Sequence, residues 1–333
     1  MYSSKITGLG HHVPDTVITN EYLTKLIDTT NEWIVERTGI QERRWIDPAK
    51  DTVANMAAKA ARMALKNGNL TEGDIDFIVF ATITPDYFFP GSGVLLQREL
   101  GLDGRIAAID IRNACSGFIY ALSVADQFIK TGMYKTVLVV GAEIQSTALD
   151  ITTRGRNTAV IFGDGAGAAV LQRADKPGIL STHLHSDGRF AEELYVKDPG
   201  SSRPHAERQP EQILDTTSFK VVMNGNQVFK HAIARFMEVI QEALDKNNLK
   251  KEDISLLVPH QANLRISQYI QQKLALRDDQ VYNNIMRLGN TTAASIPIAM
   301  SEAWKEGRIK ENDVLCLAAF GSGFTWASAL IRW

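Results

Sequence analysis

The sequence predicts an α/β fold built from two related halves, layered so that helices cover mixed sheets. Two observations carry that expectation. Residues 64–79, ALKNGNLTEGDIDFIV, align without gaps with residues 243–258, ALDKNNLKKEDISLLV, and share seven of sixteen positions, where chance gives about one. Each copy also runs in the same order: an amphipathic helix, an Asn-rich stop, an Asp-Ile step and a short apolar strand.

In the first copy a helix over 54–65 precedes FIVFA (77–81), an apolar run without alternation and therefore a buried parallel strand. The run AAID (107–110) gives another strand, a helix follows over 116–130, and KTVLVVGAE (135–143) returns as a strand. The second copy repeats this succession with a helix over 228–244, LLVPH (256–260), a helix over 292–306 and DVLCLAAFG (313–321). The glycines of GDGAGAAV (163–170) resemble a dinucleotide fingerprint, but a strand-like run follows them and not a helix, which argues against such a site. Between the copies, residues 183–218 combine prolines, many charges and little periodicity. They predict a surface excursion, either a functional cover or a disordered loop.

The composition narrows the function classes. With 333 residues, 22% charged and a formal net charge of −2, the chain has an ordinary globular balance and no basic excess for nucleic acid. No long uncharged apolar stretch or leader-like segment stands out, so neither a membrane span nor secretion is expected, and the cytoplasm is the default compartment. The only two cysteines, Cys115 and Cys316, lack the spacing of a zinc cluster or a disulfide framework.

Cys115 falls between the strand AAID and an apolar helix, in a small-residue elbow with Gly117. A thiol at a helix N-terminus is expected to gain thiolate character from the dipole and unpaired N–H groups. His260 ends the repeat strand LLVPH, at the carboxyl edge where open α/β sheets place ligands. Asn290 opens the helix that the repeat pairs with that of Cys115, either as an N-cap or as a donor aimed at the same cavity. The run FGSGFTWAS (320–328) has glycines able to expose N–H groups as an oxyanion hole. The pair His183 and His185 lacks a third ligand at suitable spacing, so no metal site is expected.

Eight blocks in order resemble the condensing enzymes of the thiolase fold, specifically the β-ketoacyl-acyl carrier protein synthase III family. They are NEWIVERTGIQERR (31–44), TPDYFFPG (84–91), ACSGF (114–118), FGDGAGAAVL (162–171), MNGNQVFKHA (223–232), VPHQANLRI (258–266), GNTTAASIP (289–297) and FGSGFTW (320–326). The resemblance implies a layered α-β-α-β-α fold with mixed five-stranded sheets, halves at 1–174 and 175–333, and a homodimer. It also implies a decarboxylative condensation of an acyl-CoA primer with malonyl-acyl carrier protein through an acyl-cysteine, with no metal or other cofactor.

By the same resemblance Cys115, His260 and Asn290 are catalytic, and the N–H groups of Cys115 and Gly323 form an oxyanion hole. Trp33 and Arg156 would sandwich the adenine of CoA, Arg37 would meet phosphate, and Met223, Asn226, Phe229 and Asn263 would line the pantetheine path. Phe89 would reach the partner subunit's acyl pocket, and Lys230, Arg265 and Lys273 would dock the carrier protein. Arg112 and Asn113 before the alanine and cysteine, Leu288 before Gly289, and the long excursion depart from the family pattern and leave the primer open. A same-fold acyltransferase with a non-malonyl acceptor is the alternative. A papain-like hydrolase shares the Cys–His–Asn order but lacks its local signature.

Overall fold

The apolar runs of the first copy lie side by side as fully buried parallel strands. A computed structural model describes the chain over residues 2–104, 106–201 and 220–333. In chain order the strands are β1 (Ser3–His12), β2 (Thr16–Thr19), β3 (Glu42–Trp45), β4 (Phe77–Ala81), β5 (Ala107–Ile111), β6 (Thr136–Glu143), β7 (Gly165–Ala174), β8 (Ile179–Ser186), β9 (Leu194–Tyr195), β10 (Val222–Met223), β11 (Leu256–Pro259), β12 (Val314–Gly321) and β13 (Thr325–Arg332). The helices are α1 (Asn20–Leu23), α2 (Asn31–Thr38), α3 (Val53–Asn67), α4 (Ser92–Glu99), α5 (Gly117–Lys130), α6 (Arg156–Ala159), α7 (Gly225–Lys246), α8 (Leu264–Leu274), α9 (Ile285–Leu288) and α10 (Ser295–Lys305).

Two mixed sheets, β1-β7-β6-β4-β5 and β8-β13-β12-β11, match strand for strand. Antiparallel β1–β7–β6 is answered by β8–β13–β12, and parallel β6–β4 by β12–β11. The second sheet has four strands, not the expected five. The place of β5 is taken by a single parallel bridge between Leu257 and Val281. The chain leaves a 3-10 turn at Asp278–Gln280, pairs at Val281 alone and enters α9 at Ile285.

Helices α5 and α10 lie between the sheets in one apolar core that joins Phe118, Leu122, Ile296 and Met300 to Val79 and Val139 on one side and Val258 and Leu317 on the other. Helices α3 and α4 cover the outer face of the first sheet, and α7 and α8 that of the second. The five layers follow from sequence. α5 is apolar nearly all round because both flanks are covered, whereas α3 buries one alanine-rich face. Thr52 and Asn55 form a capping box that starts α3. Its close approach to β1 requires Gly8, where an added Cβ would stand 2.1 Å from the Ala64 carbonyl oxygen.

A separate apolar cluster of Ile34, Ile40, Trp45, Val160, Phe162 and Ile285 seats α2 beside α6. At its centre the buried Arg43 guanidinium donates to the carbonyls of Ile18 and Val160 and to Asn20 Oδ1. The proposed excursion is in part ordered structure. Residues 183–186 belong to β8, held by β13, and β9 pairs with β10. Partner strands distant in sequence supply an order that local composition does not show. Residues 202–219 of that excursion lie outside the described residues.

Candidate active site

Two chain elbows meet where the central helices begin. The 3-10 turn Ala114–Ser116 leads into α5, the turn Thr292–Ala294 leads into α10, and the two turns pack together. Each starts on a left-handed residue, Ala114 at φ 45° and Thr292 at φ 51°. Each is backed by a glycine of the opposite central strand. An added Cβ at Gly321 would lie 2.7 Å from Cys115 Cβ, and one at Gly141 would lie 2.4 Å from the Ala293 oxygen. Ser116 Oγ and Thr325 Oγ1, 2.7 Å apart, pin the first elbow to the β12–β13 turn.

Cys115 is buried, and the N–H of Ser322 is directed at its sulfur. The expected thiolate is not the resting form. Burial and the neighbouring Glu143 charge push the thiol up to about 12, outweighing the Ser322 and Cys115 N–H groups. Glu143 itself is buried. Burial pushes it up to about 7 against hydrogen bonds from Thr84 Oγ1 (2.6 Å), Thr82 Oγ1 and the N–H groups of Ile83 and Thr84.

His260 and Asn290 gather around the start of α10. His260 Nδ1 lies 2.7 Å from Ser295 Oγ, while its Nε2 is buried without a hydrogen-bond partner. Burial lowers this imidazole to about 3, so it is neutral at pH 7. In the tautomer in which the Ser295 hydroxyl donates to Nδ1, the proton resides on Nε2 and makes that atom a hydrogen-bond donor. Asn290 is not the N-cap of α10; Ala294 holds that position. Its Oδ1 accepts the Thr292 N–H at 2.8 Å, which leaves the amide NH2 group free to donate. The intervening 3-10 turn separates Asn290 from the helix it was expected to cap.

A cavity of about 1050 Å3 reaches Cys115 and is lined there by Ala114, Thr292, Ser322 and Gly323. Its walls include Ile83, Thr84, Phe88, Arg112, Ile144 and Phe162. Phe89 is 81% exposed and does not line the chamber of its own protomer; Phe88 does. Neither His260 nor Asn290 lines it, although Thr292, whose N–H Asn290 accepts, does.

The remaining predicted residues form two outer groups. Arg37 and Arg156 place their guanidinium carbons 4.5 and 4.7 Å from the Trp33 ring centroid. An adenine between Trp33 and Arg156 would need roughly twice the ~3.5 Å spacing of a stacked contact, so Arg156 must swing outward to admit it. Asn263 caps α8 through the Arg265 N–H and donates to the Arg37 carbonyl, which ties α8 to α2. Met223 lies in β10, Asn226 in the first turn of α7, and Phe229 one turn on, with Arg265 5.8 Å over its ring. Lys230, Arg265 and Lys273 are exposed on α7 and α8.

Ser295, Ser322, Gly321 and Glu143 were missed by sequence reasoning, since each acts through a contact distant in the chain. His183 and His185 both reach Glu242 of α7, at 3.3 and 2.6 Å. Among the described residues no group of three or more His, Cys, Asp or Glu side chains is placed to hold a metal ion, and no helix is long and apolar enough to cross a membrane.

Residues 109–188 match the family described as 3-oxoacyl-[acyl-carrier-protein] synthase III, and residues 244–333 match its C-terminal part. Over all 333 residues, and the whole length of the relative, the chain is 47% identical to the β-ketoacyl-[acyl-carrier-protein] synthase III of Alkalilimnicola ehrlichii. The chain belongs to the β-ketoacyl-[acyl-carrier-protein] synthase III family. Among solved structures, the synthase III of Aquifex aeolicus superimposes with a TM-score of 0.90 at 42% identity, covering 99% of this chain and 100% of that one. That of Thermus thermophilus gives 0.89 at 40% identity, with 99% of each covered. Membership in the synthase III family makes the protein an acyl-transferring condensing enzyme with a thiolase-like fold, the fold expected from the sequence.

Proposed function

We propose that this synthase condenses an acyl-CoA primer with malonyl-acyl carrier protein, and that its halves, 1–174 and 175–333, divide the work between acyl transfer and decarboxylation. The observation that carries the reading is the pair of facing elbows, one bearing a buried thiol at the end of a chamber, the other surrounded by neutral donors. Cys115 Sγ attacks the thioester carbonyl, the bond to the CoA sulfur breaks, and the cysteine proton leaves on the CoA thiol. The thiol, raised to about 12, must give up its proton as it attacks, since the thiolate is the nucleophile.

Malonyl-acyl carrier protein then loses CO2. Its thioester oxygen takes the developing negative charge between His260 Nε2 and the Asn290 amide. The carbanion attacks the acyl carbonyl, whose oxygen is held by N–H groups at Cys115 and Gly323, and the Cys115 sulfur departs as thiolate and regains its proton from solvent. The chemistry is redox-neutral and calls for no metal or cofactor.

Trp33, Arg37 and Arg156 are assigned to the CoA nucleotide, and Met223, Asn226, Phe229 and Asn263 to its pantetheine arm. A flat cationic slot suits a base and phosphates. Lys230, Arg265 and Lys273 are assigned to the acidic carrier protein. The working form is a cytoplasmic homodimer. This is supported by the open edge of β5, the exposed Phe88 and Phe89 at 61% and 81%, and two unpaired cysteines. Phe89 then meets the acyl chamber of the partner. Incubation with acyl-CoA and malonyl-acyl carrier protein tests the whole reading: one β-ketoacyl product and one CO2 per turnover are expected, and acyl transfer to an amine or alcohol in place of malonate would overturn it.

A further inference from the structure

Arg43, in β3, is 0% exposed and among the largest side chains that the fold buries completely. Burial lowers its guanidinium to about 10, so it is charged at pH 7. Among the described residues no carboxylate lies within ion-pair distance of it. Three neutral oxygens hold it instead: Nη1 donates to the Ile18 carbonyl at 3.1 Å and to Asn20 Oδ1 at 2.8 Å, and Nη2 to the Val160 carbonyl at 2.7 Å. The cluster around it is otherwise apolar. An apolar side chain would pack there without the cost of burying a charge, so packing alone does not account for the guanidinium.

Its acceptors lead to both walls of the nucleotide slot. Val160 is the C-cap of α6, four residues after Arg156. The chain just beyond is held from another side, where the Ile161 carbonyl accepts the Asn290 N–H at 2.9 Å and the Gly163 N–H donates to the Asn290 carbonyl at 3.1 Å. Asn20 carries the connection to α2, since its amide donates to Asn31 Oδ1 at 3.0 Å and to the Ile40 carbonyl at 2.8 Å. Asn31 opens α2 two residues before Trp33, and Ile40 follows Gly39, its C-cap. One guanidinium thus fixes the end of α6 and, through a single amide, both ends of α2. With four residues, α6 depends on such support for its orientation.

We propose that Arg43 is a positioning residue for the CoA nucleotide, setting through Val160 and Asn20 the span between the backbones that carry Trp33 and Arg156. The proposal rests on the reading of the Trp33–Arg156 slot as the site of that nucleotide. With both backbones fixed, opening the slot is left to the Arg156 side chain, and less order has to be imposed when the base enters.

The test compares the butyryl and octanoyl thioesters of CoA with those of pantetheine, which lacks the nucleotide. Intact-protein mass spectrometry gives the second-order rate constant of Cys115 acylation for each. The native enzyme should favour the CoA thioesters by at least about tenfold, and Trp33→Ala should remove most of that preference. Arg43→Met should lower the CoA-to-pantetheine ratio by about fivefold or more while the pantetheine rate stays within about twofold of native. Asn31→Ala cuts only the link to α2 and leaves the guanidinium in place; its ratio should fall by about two- to fivefold, the worth of one hydrogen bond, and it decides the matter if Arg43→Met does not fold. A ratio left unchanged by either folded variant, or a loss shared equally by the CoA and pantetheine thioesters, overturns the proposal while the slot stands. A native enzyme without preference for CoA, or a preference that Trp33→Ala leaves intact, overturns the reading of the slot and the proposal with it.

Discussion

The elbows that open α5 and α10 share backbone geometry and differ in chemistry. Ala114 and Thr292 take the same left-handed turn, and Cys115 of one corresponds to Ala293 of the other. The first elbow faces a chamber; the second packs Ala293 away at 1% exposure and instead supports Asn290 and, through Ser295, His260. A duplicated fold thus supplies two equivalent helix starts at one centre, and on the proposed reading side-chain identity decides which holds the acyl group and which stabilises the carbanion.

The largest effect comes from removing the asymmetry. Cys115→Ala should abolish acyl-enzyme formation, and adding Ala293→Cys should not restore it, because that position has no chamber; an acyl adduct at residue 293 would contradict this division. His260→Ala and Asn290→Ala should leave acylation by acyl-CoA within a few-fold of native and lower condensation by about 10^2- to 10^3-fold each, as read by rapid-quench of the preformed acyl-enzyme.

Titration separates the elbows again. Because its pKa is depressed to about 3, His260 is neutral throughout pH 5–8, so condensation from preformed acyl-enzyme should show no ionisation near 6.5. The Cys115 thiol, raised to about 12, is protonated over the same range. Its alkylation by iodoacetamide should therefore climb close to tenfold per pH unit through pH 9 without a plateau. A plateau near pH 7 would show a thiolate of the sort the helix position alone suggested. Smaller again, Ser295→Ala should slow condensation about tenfold while sparing acylation, because it frees the imidazole to adopt the wrong tautomer. The smallest effects belong to Lys230→Ala and Arg265→Ala. A few-fold rise in KM for the carrier protein is expected, shrinking as salt increases, with KM for acyl-CoA unaltered.

Much of this was legible in the chain. The repeat at 64–79 and 243–258 announced the duplication, and the unalternating runs FIVFA and LLVPH gave strands β4 and β11 within a residue or so of their ends. Local pattern failed where partners lie far apart. Strand β8 hides in a charged, irregular segment because its order comes from β13, and the missing fifth strand of the second sheet reflects a 3-10 turn whose effect on pairing no periodicity reveals. The same limit explains the thiol. A helix start argues for thiolate, but burial and Glu143, which arrives from the end of β6, reverse the sign. Ser295 and Ser322 were likewise invisible as partners of His260 and Cys115, since 35 residues in one case and a different strand pair in the other separate them.

The central claim is that the two elbows carry separate steps, and Asn290→Ala tests it most directly. Intact-protein mass spectrometry would follow this variant through incubation with a preferred acyl-CoA and then with malonyl-acyl carrier protein. The predicted record is a full acyl adduct on Cys115 that persists after the malonyl carrier is added, while the native enzyme discharges it to a β-ketoacyl product. An Asn290→Ala enzyme that folds normally yet takes no acyl group, or that discharges it at the native rate, would contradict the division of labour.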